Sequence, residues 1–174
     1  MKALPTRALP ALLLLLLAAA VARAATPGAH YFGSAKPPAD NILRFNNAAE
    51  PEIVDPGLSV GQADGIICRI IWEGLTVSHP STLEPLPGMA ERWEMTPDGL
   101  VYTFHLRRAQ WSDGHPVTAG DFLYAWRRVL NPVTAARYAG QLYYLKNAEA
   151  YNKKRITDPA QVGVAAPDDS TLIV

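Results

Sequence analysis

The stretch PDGLVYTFHLRRAQWSDGHPVTAGDFLYAW, residues 97–126, decides the fold class because it holds both kinds of regular element. Pro97-Asp98-Gly99 is a turn signal. After it Leu100, Tyr102, Phe104 and Leu106 alternate with Val101, Thr103 and His105. A period of two predicts a strand with one strongly apolar face. Trp111-Ser112-Asp113-Gly114 closes in a second turn. Thr118-Ala119-Gly120-Asp121 then carries a capping-box pattern, with Asp in place of the preferred Glu. Phe122, Ala125, Trp126 and Val129 follow at i, i+3, i+4 and i+7, the spacing of an amphipathic helix, and Asn131-Pro132 stops it. Strand and helix in one short run imply a mixed α/β (α+β) domain.

Working outward, residues 42–46 form a short alternating run read as a strand. Pro51 and Pro56 exclude regular structure throughout residues 50–57. Ser59 is a candidate cap for a helix running to about Trp72. Ile66, Ile67, Ile70 and Ile71 would share its buried side, although four isoleucines also suit a strand. Residues 80–88 read as a proline-punctuated loop, and residues 142–151 as a second helix. Residues 161–165, 167–170 and 171–174 read as strand, turn and strand. The chain stops inside that last apolar strand, which leads us to expect a fragment of a longer reading frame.

Composition narrows the function classes. The 174 residues suit one domain of ordinary size, with 16 basic and 16 acidic side chains. Lys2, Arg7 and Arg23 sit before any acid, so residues 25–174 carry 13 basic against 16 acidic side chains. A net charge of −3 argues against a nucleic-acid binder. The apolar content of 49% excludes a disordered chain, and 15 prolines predict many loops. A single cysteine, Cys68, excludes an intrachain disulfide or a multi-cysteine metal site.

Residues 1–24 read as a secretory signal. Lys2 and Arg7 supply the positive end, and residues 9–21 the apolar region, including the leucines at 12–17. Ala22-Arg23-Ala24 places small residues for cleavage after Ala24. The apolar run at 8–22 contains Pro10 and is shorter than the roughly 20 residues a membrane span needs. Residues 25–41, rich in Pro, Gly and Ala, read as a flexible lead-in.

No catalytic constellation emerges. Phosphate-loop, dinucleotide, nucleophile-elbow and zinc-protease motifs are all missing. His30, His79, His105 and His115 fall at no metal-ligand spacing. His115 beside Asp113 could be drawn as a general base, but a turn with a bystander histidine is the simpler reading. Cys68 among isoleucines reads as a buried inert thiol, and Asp168-Asp169 as a turn. Glu91 and Glu94 read as a solvated edge around Trp93. The four tryptophans read mainly as core, with some available to line a cleft. No enzyme, cofactor or metal is expected.

Four blocks then carry a resemblance. They are Ala90-Glu91-Arg92-Trp93, residues 102–107 (YTFHLR), Trp111-Ser112-Asp113-Gly114, and residues 116–122 (PVTAGDF). Their order and spacing resemble the bacterial extracellular solute-binding proteins of oligopeptide and dipeptide type, closest to the periplasmic oligopeptide-binding branch. Glu50-Pro51, Asp55-Pro56 and Glu73-Gly74-Leu75 upstream, and residues 131–138 downstream, are similar too. The resemblance implies two α/β lobes around a cleft, with an extra domain in the first lobe. Residues 42–72 would open lobe I and residues 73–174 would form most of the extra domain. It implies a periplasmic monomer that captures a peptide ligand and delivers it to an inner-membrane ABC permease.

By the same resemblance, Ser59-Val60-Gly61-Gln62 corresponds to a ligand-facing stretch, and Tyr138 to a cleft tyrosine. Val60, Gly61, Gln62 and Tyr138 are therefore the candidate ligand-binding residues. The family commonly places an acid at the Val60 position, so a preference for a basic side chain there is not expected. Asp113, Gly114, Thr118 and Asp121 are read as a turn and a helix cap. Other readings are a binder of a dipeptide, nickel chelate or opine, a secreted hydrolase or structural domain using this module, and a non-functional truncated product.

Overall fold

The computed structural model describes Ile42 and residues 44–174. The expected signal (1–24) and lead-in (25–41) lie outside the described residues. The chain divides into two compact units, Met1–Phe45 and Asn46–Val174, and the account below concerns the second. The expected strand at 42–46 is not formed at its described positions. No helix among the described residues is long and apolar enough to cross a membrane.

The expected turn at 97–99 builds a hairpin. Gly99 adopts φ +71°, open to glycine without strain, and its N–H donates to Thr96 O at 2.8 Å. The Asp98 carboxylate accepts the Thr96 hydroxyl at 2.6 Å and the Leu100 N–H at 3.1 Å. This turn joins β3 (Ala90–Met95) to β4 (Tyr102–Leu106), with Trp93 opposite Phe104 and Met95 opposite Tyr102. The predicted period-two strand is thus present. Strand β4 also pairs with β6 (Thr171–Ile173), which pairs with β5 (Ala165–Asp168). The order is β3-β4-β6-β5, with every pair antiparallel. The turn between β5 and β6 is held by Asp168, whose carboxylate accepts the Ser170 N–H at 2.8 Å. The expected last strand (171–174) is found as β6, but the expected first strand (161–165) is not. Pro159–Gln161 is a 3-10 turn, β5 runs from Ala165 to Asp168 into the expected turn, and the turn itself is confined to residues 169–170.

A separate ribbon pairs β1 (Thr76–Ser78) with β2 (Pro85–Pro87), and β2 lies inside the stretch 80–88 expected to be all loop. Pro85 and Pro87 lack an N–H, which an edge tolerates. Behind the ribbon the chain crosses itself closely. A Cβ on Gly88 would lie 2.7 Å from Gly74 O, so only glycine fits there.

Helix α2 (Ala119–Leu130) starts and stops where the sequence predicts. The Thr118 N–H donates to Asp121 Oδ2 at 2.7 Å and its hydroxyl to the same oxygen at 3.2 Å. The Ala119 N–H donates to Asp169 O at 2.8 Å, tying the helix start to the β5–β6 turn. At the other end Asn152 Nδ2 donates to Leu130 O at 2.9 Å, and Tyr143 Oη donates to Asn152 Oδ1 at 2.6 Å. The expected helix at 142–151 is broken into a 3-10 turn (Ala139–Leu142) and α3 (Ala148–Asn152). Asn147, at φ +62°, interrupts it. The core gathers Leu106, Leu130, Tyr151, Val162, Val164 and Leu172 between α2 and the sheet, flanked by Phe122 and Trp126.

Helix α1 (Gln62–Ile71) departs from expectation. Its cap is Gly61 rather than Ser59, and its buried positions are Asp64 and Cys68. Ile70 and Ile71 are more than half exposed, and Ile66 and Ile67 are half-buried. The isoleucines fall at helical spacing, but the fully buried positions of the helix are Asp64 and Cys68 instead.

Leu130 and Leu172 are fully buried whereas Tyr144 is 97% exposed. Urea unfolding should show Leu130→Ala and Leu172→Ala each losing about 2–5 kcal/mol. Tyr144→Ala should stay within about 0.5 kcal/mol of the parent. A comparable loss in all three would contradict this core.

Candidate functional site

The segment before α1 has little regular structure, and two carboxylates hold it. Asp55 faces Arg128 on the last turn of α2 with two parallel bonds, Nη1 to Oδ1 at 2.9 Å and Nη2 to Oδ2 at 2.6 Å. Its Oδ1 also accepts the Gly57 N–H at 2.9 Å, and its carbonyl accepts the amides of Leu58 and Ser59. A Cβ at Gly57 would sit 3.0 Å from Arg128 Nη1, so the close pair favours glycine there. The Arg128 hydrogen bond holds the Asp55 carboxyl below its ordinary pKa against a smaller opposing effect of burial.

Asp64, only 2% exposed, does the corresponding work at the other end. Its Oδ1 accepts the Glu52 N–H at 2.8 Å and its Oδ2 the Gly61 N–H at 3.3 Å. Burial pushes the carboxyl up. The amides of Glu52, Gly61, Ile53 and Val60 together outweigh burial and hold it below the usual value.

Beside this segment runs an open groove with a cavity volume of about 1070 Å³. Ser59, Trp72, Trp111, Phe122, Trp126 and Tyr138 supply much of its wall. Trp72 and Trp111 meet edge to face with ring centroids 6.0 Å apart. Both are about 40% exposed, so they face the groove rather than the core. None of the four tryptophans is fully buried, which corrects the reading of these rings as mainly core. Glu73 and Arg107 form an ion pair at the groove, and Arg107 Nε also donates to Gly88 O at 3.1 Å.

The four candidate residues are placed unevenly. Tyr138 lies in the groove wall, 55% exposed, just before the 3-10 turn Ala139–Leu142. Ser59 shares that wall, while Val60, Gly61 and Gln62 follow it at the α1 start outside the lining. Val60 is half-buried, and Gly61 and Gln62 are exposed. The sequence reading missed Arg128 and Asp64. Asp64 had a signal, since it stands three residues after Gly61 as Asp121 does after Thr118.

The other chemistry-bearing residues form no assembled centre. His115 Nδ1 lies 3.1 Å from Asp113 Oδ1 at an exposed turn, outside the groove. His105 Nε2 lies 3.4 Å from Glu94 Oε1 across β3 and β4. Cys68 is a buried free thiol. Among the described residues no group of three or more His, Cys, Asp or Glu could hold a metal ion.

Comparison with known proteins settles the family. Residues 84–174 match the family described as bacterial extracellular solute-binding proteins, family 5 Middle. The chain belongs to that family. It is 46% identical over 135 residues to the periplasmic oligopeptide-binding protein OppA of Haemophilus influenzae, covering 75% of this chain and 24% of that protein. It is 39% identical over 153 residues to the dipeptide-binding protein DppE of Bacillus subtilis, covering 87% and 27%. In three dimensions it is similar to H. influenzae OppA in complex with RPPGFSPFR. There the TM-score is 0.70 at 45% identity, over 74% of this chain and 25% of that one. The mixed α/β structure is thus part of a periplasmic-binding-protein fold, and the chain spans about a quarter of the length of these relatives.

The lowered Asp55 pKa gives the pair a pH signature. Its stabilisation is present above the ordinary value of 3.8 and is lost as pH falls through the depressed value. The pair is partly solvent-screened, so Arg128→Met should cost about 1 kcal/mol near neutrality. The gap between parent and variant should close on acidification below pH 3.8. A gap constant from pH 7 to pH 2 would deny the pair this role.

Proposed function

We propose that this chain takes part in capturing peptides outside the inner membrane and delivering them to an ABC permease. The observation that carries this reading is the adjacency of the Ser59–Gln62 segment to an aromatic-walled groove that also contains Tyr138. The related OppA solved with RPPGFSPFR supports a peptide as the ligand class. Binding proceeds by main-chain pairing. An extended peptide aligns its backbone with the Val60–Gln62 segment, as in strand addition. Its side chains lie against permissive walls where bridging water adapts to their shape. Tyr138 adds a phenol that can contact the ligand from the groove side.

Residues 42–72 open the first lobe in this reading, and residues 73–174 make up most of an extra domain. The protein is exported by a signal cleaved after Ala24 and acts in the periplasm as a monomer. It catalyses no reaction. Capture and hand-over require a hinge motion between lobes.

The test is a titration of the isotopically labelled chain with mixed tripeptides, followed by amide chemical shifts. Weak binding should move Gln62 and the neighbours of Tyr138, and Tyr138→Ala should weaken it by about three- to tenfold. An absence of shifts at both places would overturn the reading. Val60 carries no charge, so lysine- and alanine-centred tripeptides should bind alike. Val60→Glu should favour the lysine peptide by about two- to fivefold at low salt.

A further inference from the structure

The start of α1 contains a buried charge whose placement has a consequence for the segment in front of it. Gly61 is extended, with φ −86° and ψ 155°. In an extended chain the N–H and C=O of one residue point to one edge, and those of its neighbours point to the other. The Gly61 N–H points to Asp64 Oδ2, and its C=O accepts the Gly65 N–H at 3.0 Å. Both Gly61 groups are therefore taken up by the fold. The opposite edge presents the Val60 C=O and the Gln62 N–H, and neither makes a hydrogen bond among the described residues. An acceptor and a donor two residues apart on one edge are what a parallel extended partner needs.

We propose that Asp64 is the positioning residue of this edge: its buried carboxylate anchors Gly61 and Glu52, and thereby turns Val60 C=O and Gln62 N–H outward. The inference rests on the peptide-binding reading for what the edge is used for. Its structural half stands on the hydrogen bonds alone. Asp64 is well suited to the task. A charged acceptor makes stronger bonds to amides than a neutral one. Burial excludes water that would compete for those amides. The two oxygens reach residues 52 and 61, so a single side chain fixes both the incoming strand of the loop and its exit into the helix. Asp64 touches no ligand in this arrangement and acts through the backbone it holds. Gly61 adds a second constraint, because a Cβ there would lie 3.2 Å from Asp64 Oδ2.

The test compares the labelled parent chain with Asp64→Asn, which keeps the shape but loses the charge and one acceptor. In the variant the Glu52 and Gly61 amides should exchange with solvent about tenfold faster or more. The Gly61 amide proton should move upfield as its charged acceptor disappears, while Phe104 and Leu130 keep their protection. Peptide-induced shifts at Gln62 should fall with the exchange protection. Unchanged exchange at both amides, or unchanged peptide shifts at Gln62 in a variant whose loop has loosened, would overturn the proposal. Should the variant lose protection throughout, the parent decides. A coupling through the hydrogen bond from the Gly61 nitrogen to the Asp64 carboxyl carbon supports the anchor, and its absence overturns it. A parent that shows no peptide shifts refutes the peptide reading, while exchange and coupling still judge the anchor.

Discussion

The pairing of β4 with β6 is the constraint on which the rest of the structure depends. It sets Thr103 opposite Ile173, Phe104 opposite Leu172 and His105 opposite Thr171, and extends to reciprocal 2.8 Å bonds between Tyr102 and Val174. Closing so long an excursion of chain costs conformational entropy, which only a substantial core can offset. The excursion provides that core itself. It contains α2, whose first amide bonds to the β5–β6 turn and whose last carbonyl receives Asn152. Leu130 at the end of α2 and Leu172 on β6 are both fully buried within it. With the helix so fixed, Arg128 on its last turn has a defined position from which to hold Asp55. A register set in the sheet thus determines where the loop before α1 is anchored.

The two longer helices begin with the same device put to different ends. Asp121 and Asp64 each stand three residues into their helix and accept the N–H of the cap residue. A negative charge in the first turn also suits the helix dipole. At α2 the device starts a helix that packs on the sheet. At α1 the carboxylate is buried and accepts a second amide, from Glu52, so it organises the loop as well as the helix. The difference lies in burial. Asp121 is part-exposed at the groove, and Asp64 is enclosed by the segment it orders.

What could be read from the sequence was local. Strand β4 announced itself by alternation, α2 by its cap and apolar spacing, and the turn at Gly99 by its dipeptide. Strand β3 did not, because an edge strand with Glu91, Arg92 and Glu94 exposed shows no clean alternation. The β1–β2 ribbon was hidden by Pro85 and Pro87, residues an edge accepts and a central strand does not. Ser59 is by residue type a better cap than Gly61, whereas the deciding group is the Asp64 carboxylate three residues beyond Gly61. Asp55 and Arg128 lie 73 positions apart, and nothing in either neighbourhood names the other. Val60, Gly61, Gln62 and Tyr138 came from resemblance to a family rather than from any spacing. A ligand surface leaves no period in the sequence, because its members meet only when the chain is folded.

The site's division of labour follows from these facts. On the proposed reading the edge receives peptides of many sequences, and rigidity would then favour binding, since any disorder in the edge would be lost again as entropy on each binding event. Rigidity is supplied behind the edge, by Asp64 within the loop and by the Asp55–Arg128 pair tying that loop to α2. Selectivity would be supplied in front of it, by charges facing the ligand, and Val60 contributes none. The groove walls beside it are aromatic and partly exposed, with Trp72 and Trp111 in edge contact rather than locked in the core. Such walls offer apolar contact to side chains of varied shape without demanding a particular hydrogen bond. On the proposed peptide-binding reading, the buried carboxylate and the missing surface charge would act together: the backbone of the ligand would be held to a fixed edge, and its side chains left free to vary.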